Sequence, residues 1–233
     1  MNIVITGAST GVGRETAKAL AAIKGNSVVL IARNKLKIQT LAGECNILRQ
    51  ETCVFPLAFD LGSDDYIGLT PQILQHFKHI DILINNAGQL LNKAVGNITA
   101  TEIDSVFNVN YKAPLLLSQA LLPYMAQGSH ILNISSMGGF QGSVKFPGLS
   151  VYSSSKGALA ILTECLAAEL TEKKVSVNCL AFGAVQTEML SKAFPGYEAP
   201  VSAEKMAEFV ADFALNGHKF FNGKVLPVSL STP

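Results

Sequence analysis

Tyr152 and Lys156 stand four residues apart in Tyr152-Ser153-Ser154-Ser155-Lys156, at the head of an Ala- and Leu-rich run. In a helix that spacing puts a phenol and an ammonium one turn apart on one face. A free phenol titrates near ~10, so work as an acid or base at neutrality asks for a lowering of roughly three pH units, about 4 kcal/mol. A cation held about 4 Å away at an effective dielectric near 20 supplies an interaction of that size. The lysine is therefore expected to lower the phenol and make a proton-transfer site. The same spacing arises in ordinary helices, so its weight rests on what the chain places beside it.

Short apolar strands alternate with helical runs. A strand over residues 3–5 is closed by Thr6-Gly7-Ala8-Ser9-Thr10-Gly11-Val12-Gly13, then come a helix over about 14–23 and a strand over 27–32. Glycines at a strand-to-helix turn let a phosphate reach the free amides and dipole of the helix N-terminus. They also serve simply to turn the chain tightly. Ala32-Arg33 follows the second strand, where an acidic residue would hold a ribose 2′-hydroxyl and an arginine suits a 2′-phosphate. The plainer reading of Arg33 is a solvated side chain at a strand end.

A third strand over 52–59 ends in Asp60-Leu61, and Ser63-Asp64-Asp65 reads as the cap of a helix to about 78. His76 and His79 near that end fit capping charges better than metal ligands. A fourth strand over 81–84 stops at Asn85-Asn86-Ala87-Gly88, where asparagines are placed to hydrogen-bond. The helical region over 99–127 contains Asn108 and Asn110, which predict a bend or a buried polar task. A fifth strand over 129–134 leads to Ser135-Ser136, and the Tyr152 helix runs to about 171. A sixth strand over 175–180 and the loop 181–187 precede a mobile segment, 188–200. Ser202 caps a last helix to about 216, and 224–228 forms a seventh strand.

This order predicts an α/β fold: one Rossmann-type domain over 1–233, with a doubly wound parallel sheet of about seven strands and helices on both faces. Ligands of such sheets bind outside the carboxyl ends of the strands, where every motif above falls. The 233 residues carry a net charge of +1, which gives no general attraction to nucleic acid or anionic lipid. No apolar run reaches membrane-spanning length. Cys45, Cys53, Cys165 and Cys179 have no metal-ligand spacing and read as free thiols, so a soluble cytoplasmic protein without a metal is expected. With 48% hydrophobic and only 15% charged residues, helices apolar beyond one face predict pairing into a homodimer or homotetramer.

Taken together, Thr6-Gly7-xxx-Gly11-x-Gly13, Asp60, Asn86-Ala87-Gly88, Asn110, Ser136, Tyr152-xxx-Lys156 and Gly183-x-Val185-x-Thr187 resemble, in order and over nearly the whole chain, the short-chain dehydrogenase/reductase family. The resemblance implies a nicotinamide-dependent oxidoreductase of carbonyl and alcohol groups, with NADP(H) favoured over NAD by Arg33. It implies that Gly7, Ser9, Thr10, Gly11, Val12 and Gly13 cradle the adenosine and pyrophosphate, that Arg33 takes the 2′-phosphate, and that Asp60 and Leu61 flank the adenine. Asn86, Ala87 and Gly88 would support the adenosine side, and Gly183, Val185 and Thr187 the nicotinamide carboxamide. Tyr152 would be the general acid, Ser136 would hold the carbonyl oxygen, Lys156 would lower the tyrosine and bind the ribose, and Asn110 would hold a relay water. Ser136 is chosen over Ser135 because Met137-Gly138-Gly139 follows it and an extended backbone turns Ser135 away. Phe182 stands where the family has proline, which predicts a looser loop.

Phe140, Phe146, Met189, Leu190, Phe194 and Tyr197 are candidates for an apolar substrate wall. A small-molecule ketone or aldehyde and a 3-oxoacyl thioester both remain open as substrate. A cofactor-holding regulatory protein without turnover is the competing class of function.

Overall fold

The computed structural model describes residues 1–62 and 66–230, the side chain of Ile67 excepted. Runs such as Ile3-Val4-Ile5 and Val28-Val29-Leu30-Ile31 are wholly buried, as parallel strands covered on both faces must be. The strands are β1 (Asn2–Thr6), β2 (Ser27–Ala32), β3 (Val54–Ala58), β4 (Ile82–Asn85), β5 (His130–Ser136), β6 (Ser176–Phe182) and β7 (Val225–Val228). They form one parallel sheet in the order β3-β2-β1-β4-β5-β6-β7. β1 pairs with both β2 and β4, so the strand order reverses there and opens a crevice at the carboxyl ends.

The helices are α1 (Gly11–Ala22), α2 (Lys35–Arg49), α3 (Tyr66–Leu74), α4 (Ala100–Phe107), α5 (Ala113–Leu121), α6 (Ser150–Glu169), α7 (Glu188–Ala193) and α8 (Ala203–Asn216). Alternation along the strands divides the core in two. Ile3, Ile5, Val28 and Leu30 pack with α1, α2 and α8, and Val4, Val29 and Ile31 with α3, α5 and α6. No helix among the described residues is long and apolar enough to cross a membrane.

Several expectations are corrected. α1 begins at Gly11 rather than near residue 14, so two of the glycines belong to its first turn. α2 was not foreseen at all. α3 ends at Leu74, and its expected cap, Ser63-Asp64-Asp65, lies outside the described residues. Neither histidine caps it: His76 stacks on Phe55 with centroids 4.2 Å apart and burial lowers its pKa, while His79 Nε2 lies 3.5 Å from Asp81 Oδ1. The segment after β6 is not simply a loop but forms α7, and Phe182 is held in β6 opposite Ser136 and Val228 rather than loosened. The bend at the asparagines is present, as a π-helical turn over Asn108–Lys112 between α4 and α5.

Candidate active site

One cavity of about 460 Å³ opens at the carboxyl ends of the strands. The β1–α1 turn lines it with Gly7, Ser9, Thr10, Gly11, Val12 and Gly13, and Arg33 enters after β2. Asp60 and Leu61 follow from β3, then Asn86, Ala87 and Gly88 from β4. Ser136 stands at the end of β5, Tyr152 and Lys156 on α6, and Gly183, Val185 and Thr187 after β6. Of the residues singled out in the sequence, Asn110 does not line it, and of the expected apolar wall Phe146, Met189, Leu190 and Phe194 do, whereas Phe140 and Tyr197 do not.

The turn after β1 is locked to the turn after β4. Thr6 Oγ1 accepts from the amides of Asn86 and Ala87, each at 3.0 Å, and Asn86 Nδ2 donates to Thr6 O at 3.0 Å and Gly7 O at 3.3 Å. A Cβ on Gly13 would lie 2.2 Å from Asn86 Nδ2 and 2.5 Å from Gly7 O, so only glycine lets these segments meet. The N-cap of α1, Thr10, makes no side-chain capping bond, and no acidic residue occupies the first turn. The helix thus presents amides and the positive end of its dipole to the cavity, which suits an anion. Further along that wall are Arg33 and Lys37, a second cation in the first turn of α2. Asp60 Oδ1 is held by the Gly62 amide at 2.9 Å.

At the other end, Ser136 and Ser135 face opposite ways. Ser135 is buried and its Oγ donates to the Lys156 carbonyl at 2.8 Å, while Ser136 Oγ accepts from the Gly138 amide at 3.1 Å and is hydrogen-bonded to the Tyr152 phenol. A Cβ on Gly139 would lie 2.4 Å from Gly157 N and 2.5 Å from Lys156 C. The turn that carries Ser136 therefore rests directly on the backbone of α6, which fixes serine, tyrosine and lysine relative to one another.

The electrostatics differ from the expectation. Burial pushes the half-buried Tyr152 phenol above its ordinary value, with the Ser136 bond pulling the other way, and Lys156 has no part in the shift. The lysine is buried at 3% exposure and donates Nζ to the Ile134 carbonyl at 2.8 Å. Burial lowers its pKa to about 8. The predicted lowering of the phenol by the ammonium is not found, because the lysine turns down to β5 and loss of water dominates both groups.

Asn110 is fully buried in the π-helical turn. Its Oδ1 accepts from the Gln89 amide at 2.7 Å, and its Nδ2 donates to Gln89 O at 3.0 Å and Ser155 Oγ at 2.9 Å. Ser155 Oγ in turn donates to the Tyr152 carbonyl at 2.7 Å. The side chain thus ties the β4–α4 connection to the first turn of α6, and both its amide protons are used in doing so. Asn110→Ala orphans buried partners and is expected to cost about 3 kcal/mol, read as a shift of the urea unfolding midpoint.

Lys37, Gln89 and Leu90 line the cavity and were missed in the sequence. Recognising Asn34 as the N-cap of α2, where it accepts from the Lys37 amide at 3.0 Å, would have found the first. Gln89 and Leu90 directly follow Asn86-Ala87-Gly88. Among the described residues no cluster of three or more His, Cys, Asp or Glu could hold a metal ion.

The pattern described as short chain dehydrogenase matches residues 1–198. This chain belongs to that family. An uncharacterized oxidoreductase of Staphylococcus epidermidis is 32% identical over 209 residues, which cover 89% of this chain and 87% of that protein. Dehydrogenase/reductase SDR family member 7B of Mus musculus is 36% identical over 193 residues, 80% of this chain and 58% of the mouse protein. Among solved structures, a short chain dehydrogenase of Burkholderia cenocepacia in complex with NADP superposes with a TM-score of 0.87 at 26% identity, covering 97% of this chain and 95% of that one. A 3-ketoacyl-(acyl-carrier-protein) reductase of Brucella melitensis complexed with NADH gives 0.85 at 26% identity, with 98% and 96% covered.

Proposed function

We propose that this protein is an NADPH-dependent reductase that converts ketones or aldehydes to alcohols. The observation that carries this reading is a Tyr152 phenol hydrogen-bonded to Ser136, above a buried Lys156, in a cavity whose far wall is a helix N-terminus followed by two cations. That wall fits a dinucleotide: the uncapped amides of α1 would hold the pyrophosphate, and Arg33 and Lys37 the 2′-phosphate. The Burkholderia relative, described with NADP, supports the same choice. Gly183, Val185 and Thr187 would border the nicotinamide.

Bound NADPH supplies the hydride whose electron pair becomes the new C–H bond. Ser136 Oγ positions the carbonyl oxygen, and Tyr152 Oη delivers its proton to that oxygen as the π pair moves there. A phenol raised by burial stays loaded with its proton at neutral pH, which suits reduction; alcohol oxidation would need the phenolate. Lys156 holds a positive charge beneath the reacting groups below pH about 8. Asn110 acts as a positioning residue, setting the turn that carries Tyr152.

Cofactor choice is tested by Arg33→Asp. NADPH affinity is expected to fall about 10- to 100-fold, the worth of one or two charge-assisted bonds, with NADH changed by less than about threefold. Equal loss for both dinucleotides contradicts the 2′-phosphate role. Homodimerisation through α4, α5 and α6 belongs to the same reading, since Ile103 and Ile161 stand 40% and 61% exposed there. Elution as a monomer at micromolar concentration contradicts it.

A further inference from the structure

Beyond Ser136 and Tyr152 the cavity is framed by three connections fastened to one another. Asn92 Nδ2 donates to the carbonyl of Ala193 at the end of α7, at 3.1 Å, and the Lys93 amide donates to Gly148 O at 2.9 Å. The rings of Phe146 and Phe194 meet edge-on with centroids 5.1 Å apart. Gly148 has φ +84°, and a Cβ there would lie 2.1 Å from Asn92 Oδ1, so these loops meet at close quarters. A frame tied at three places bounds the substrate on its outer side.

The lining of that end is apolar: Met137, Val144, Phe146, Leu149, Leu190 and Phe194. Gln89 also reaches it, but its amide is spent on Ser105, donating at 2.9 Å and accepting at 3.3 Å. The nearby cations are spent as well. Lys93 Nζ lies 2.8 and 2.9 Å from the two carboxylate oxygens of Glu102, whose pKa is held down to about 2 by that pairing and by Thr99. Lys145 Nζ is turned back onto its own loop, bonding Phe140 O at 2.8 Å and Ser143 O at 3.0 Å. Arg33 and Lys37 lie with Asp60 on the dinucleotide wall, Lys192 of α7 is not part of the lining, and the charged α7 residue that is, Glu188, is acidic.

We propose, on the reading that this cleft reduces carbonyls, that its substrate is a compact, uncharged, apolar ketone or aldehyde, and that carboxylate-bearing carbonyls and coenzyme A or carrier-protein thioesters are rejected. A phosphate or carboxylate seated there would leave water with no counter-cation but Lys156, which is buried beneath Ser136 and Tyr152 and bonded to the Ile134 carbonyl, whereas an aryl or branched alkyl body gains by burial against the aromatic pair. Apart from the carbonyl oxygen, which Ser136 and Tyr152 receive, such a substrate needs no polar partner.

The test compares acetophenone with 4-acetylbenzoate, which share ring and carbonyl and differ by one carboxylate, and adds acetoacetyl-coenzyme A as the thioester. With NADPH and the full chain, kcat/KM for acetophenone is expected to exceed that for 4-acetylbenzoate by about 50-fold or more, with the thioester slower than acetophenone. Parity, or preference for either anion, overturns the proposal. Binding to the Tyr152→Phe·NADPH complex separates this proposal from the reductase reading. If nothing is turned over but acetophenone binds at least about tenfold tighter than 4-acetylbenzoate, the pocket's class stands and reduction falls. Equal binding, or none, overturns the pocket's class. Met189 lines the cavity at 38% exposure, so a cation is tolerated there. Met189→Lys is expected to raise the ratio of 4-acetylbenzoate to acetophenone turnover about fivefold or more, and an unchanged ratio counts against the proposal.

Discussion

Tyr152→Phe is expected to bind NADPH within about twofold of the wild type and to reduce carbonyl compounds at least about 1000-fold more slowly, the scale on which a positioned general acid acts. The substitution keeps the ring, so the packing at the head of α6 survives. It removes the O–H that Ser136 engages and that the proposed mechanism delivers to the substrate oxygen. In the proposed reading the nucleotide is held by the β1–α1 turn, Arg33 and Lys37, which line the other end of the cavity. Loss of turnover with binding kept, read by stopped-flow NADPH oxidation and NADPH fluorescence titration, isolates the proton from the hydride. A variant that still turns over removes Tyr152 from the chemistry.

Lys156→Met carries the second large effect, and it has two readouts of opposite sign. Turnover is expected to fall by about 100-fold or more, because the buried positive charge beneath the reacting groups is gone. Stability at neutral pH is expected to rise. Lys156 has its folded pKa lowered to about 8 by burial, against 10.5 in the unfolded chain, so folding must bury a charge below pH about 8. That penalty is on the order of 3 kcal/mol, since each pH unit of lowering corresponds to about 1.4 kcal/mol. The sign follows from proton counts. Between the two values the unfolded chain binds more protons, so wild-type stability climbs as pH rises from about 8 toward 10.5 and the penalty is relieved. Lys156→Met lacks that climb. Urea unfolding of both proteins at neutral and alkaline pH checks it, and parallel pH curves contradict the buried-charge account. The Nζ bond to Ile134 O offsets part of the burial cost, so the observed gain is expected to fall short of the full figure.

Residues whose position follows from a strand end were legible in the sequence. Ile3-Val4-Ile5 followed by glycines, and Asn86-Ala87-Gly88 after a four-residue apolar run, fix their own placement once the strands alternate with helices. Ser136 and Ser135 were separable because an extended backbone turns neighbours to opposite faces. Asn110 announced a break in its helix, since a mid-helix asparagine needs a reason, and the π-helical turn with its three hydrogen bonds supplies one. α2 was illegible because Leu36, Ile47 and Leu48 are 74%, 77% and 80% exposed, which blurs the apolar stripe by which a helix is read. Lys37 was lost with it. α7 is only six residues long and is followed by Pro195-Gly196, so the segment read as a loop. The error on Tyr152 was one of direction. Spacing puts the lysine one turn away, but it does not say that Nζ reaches down to a carbonyl of β5 or that desolvation outweighs the charge.

The most direct measurement is kcat/KM for carbonyl reduction across pH, with wild type and Tyr152→Phe side by side. The account predicts a wild-type rate level through neutrality that falls only above pH about 8, as first Lys156 and then Tyr152 lose their protons. The variant is predicted to stay at a floor at least about 1000-fold lower across the whole range. A wild-type rate that rises with alkalinity, or a variant that follows the wild-type curve at comparable rate, contradicts proton delivery by Tyr152.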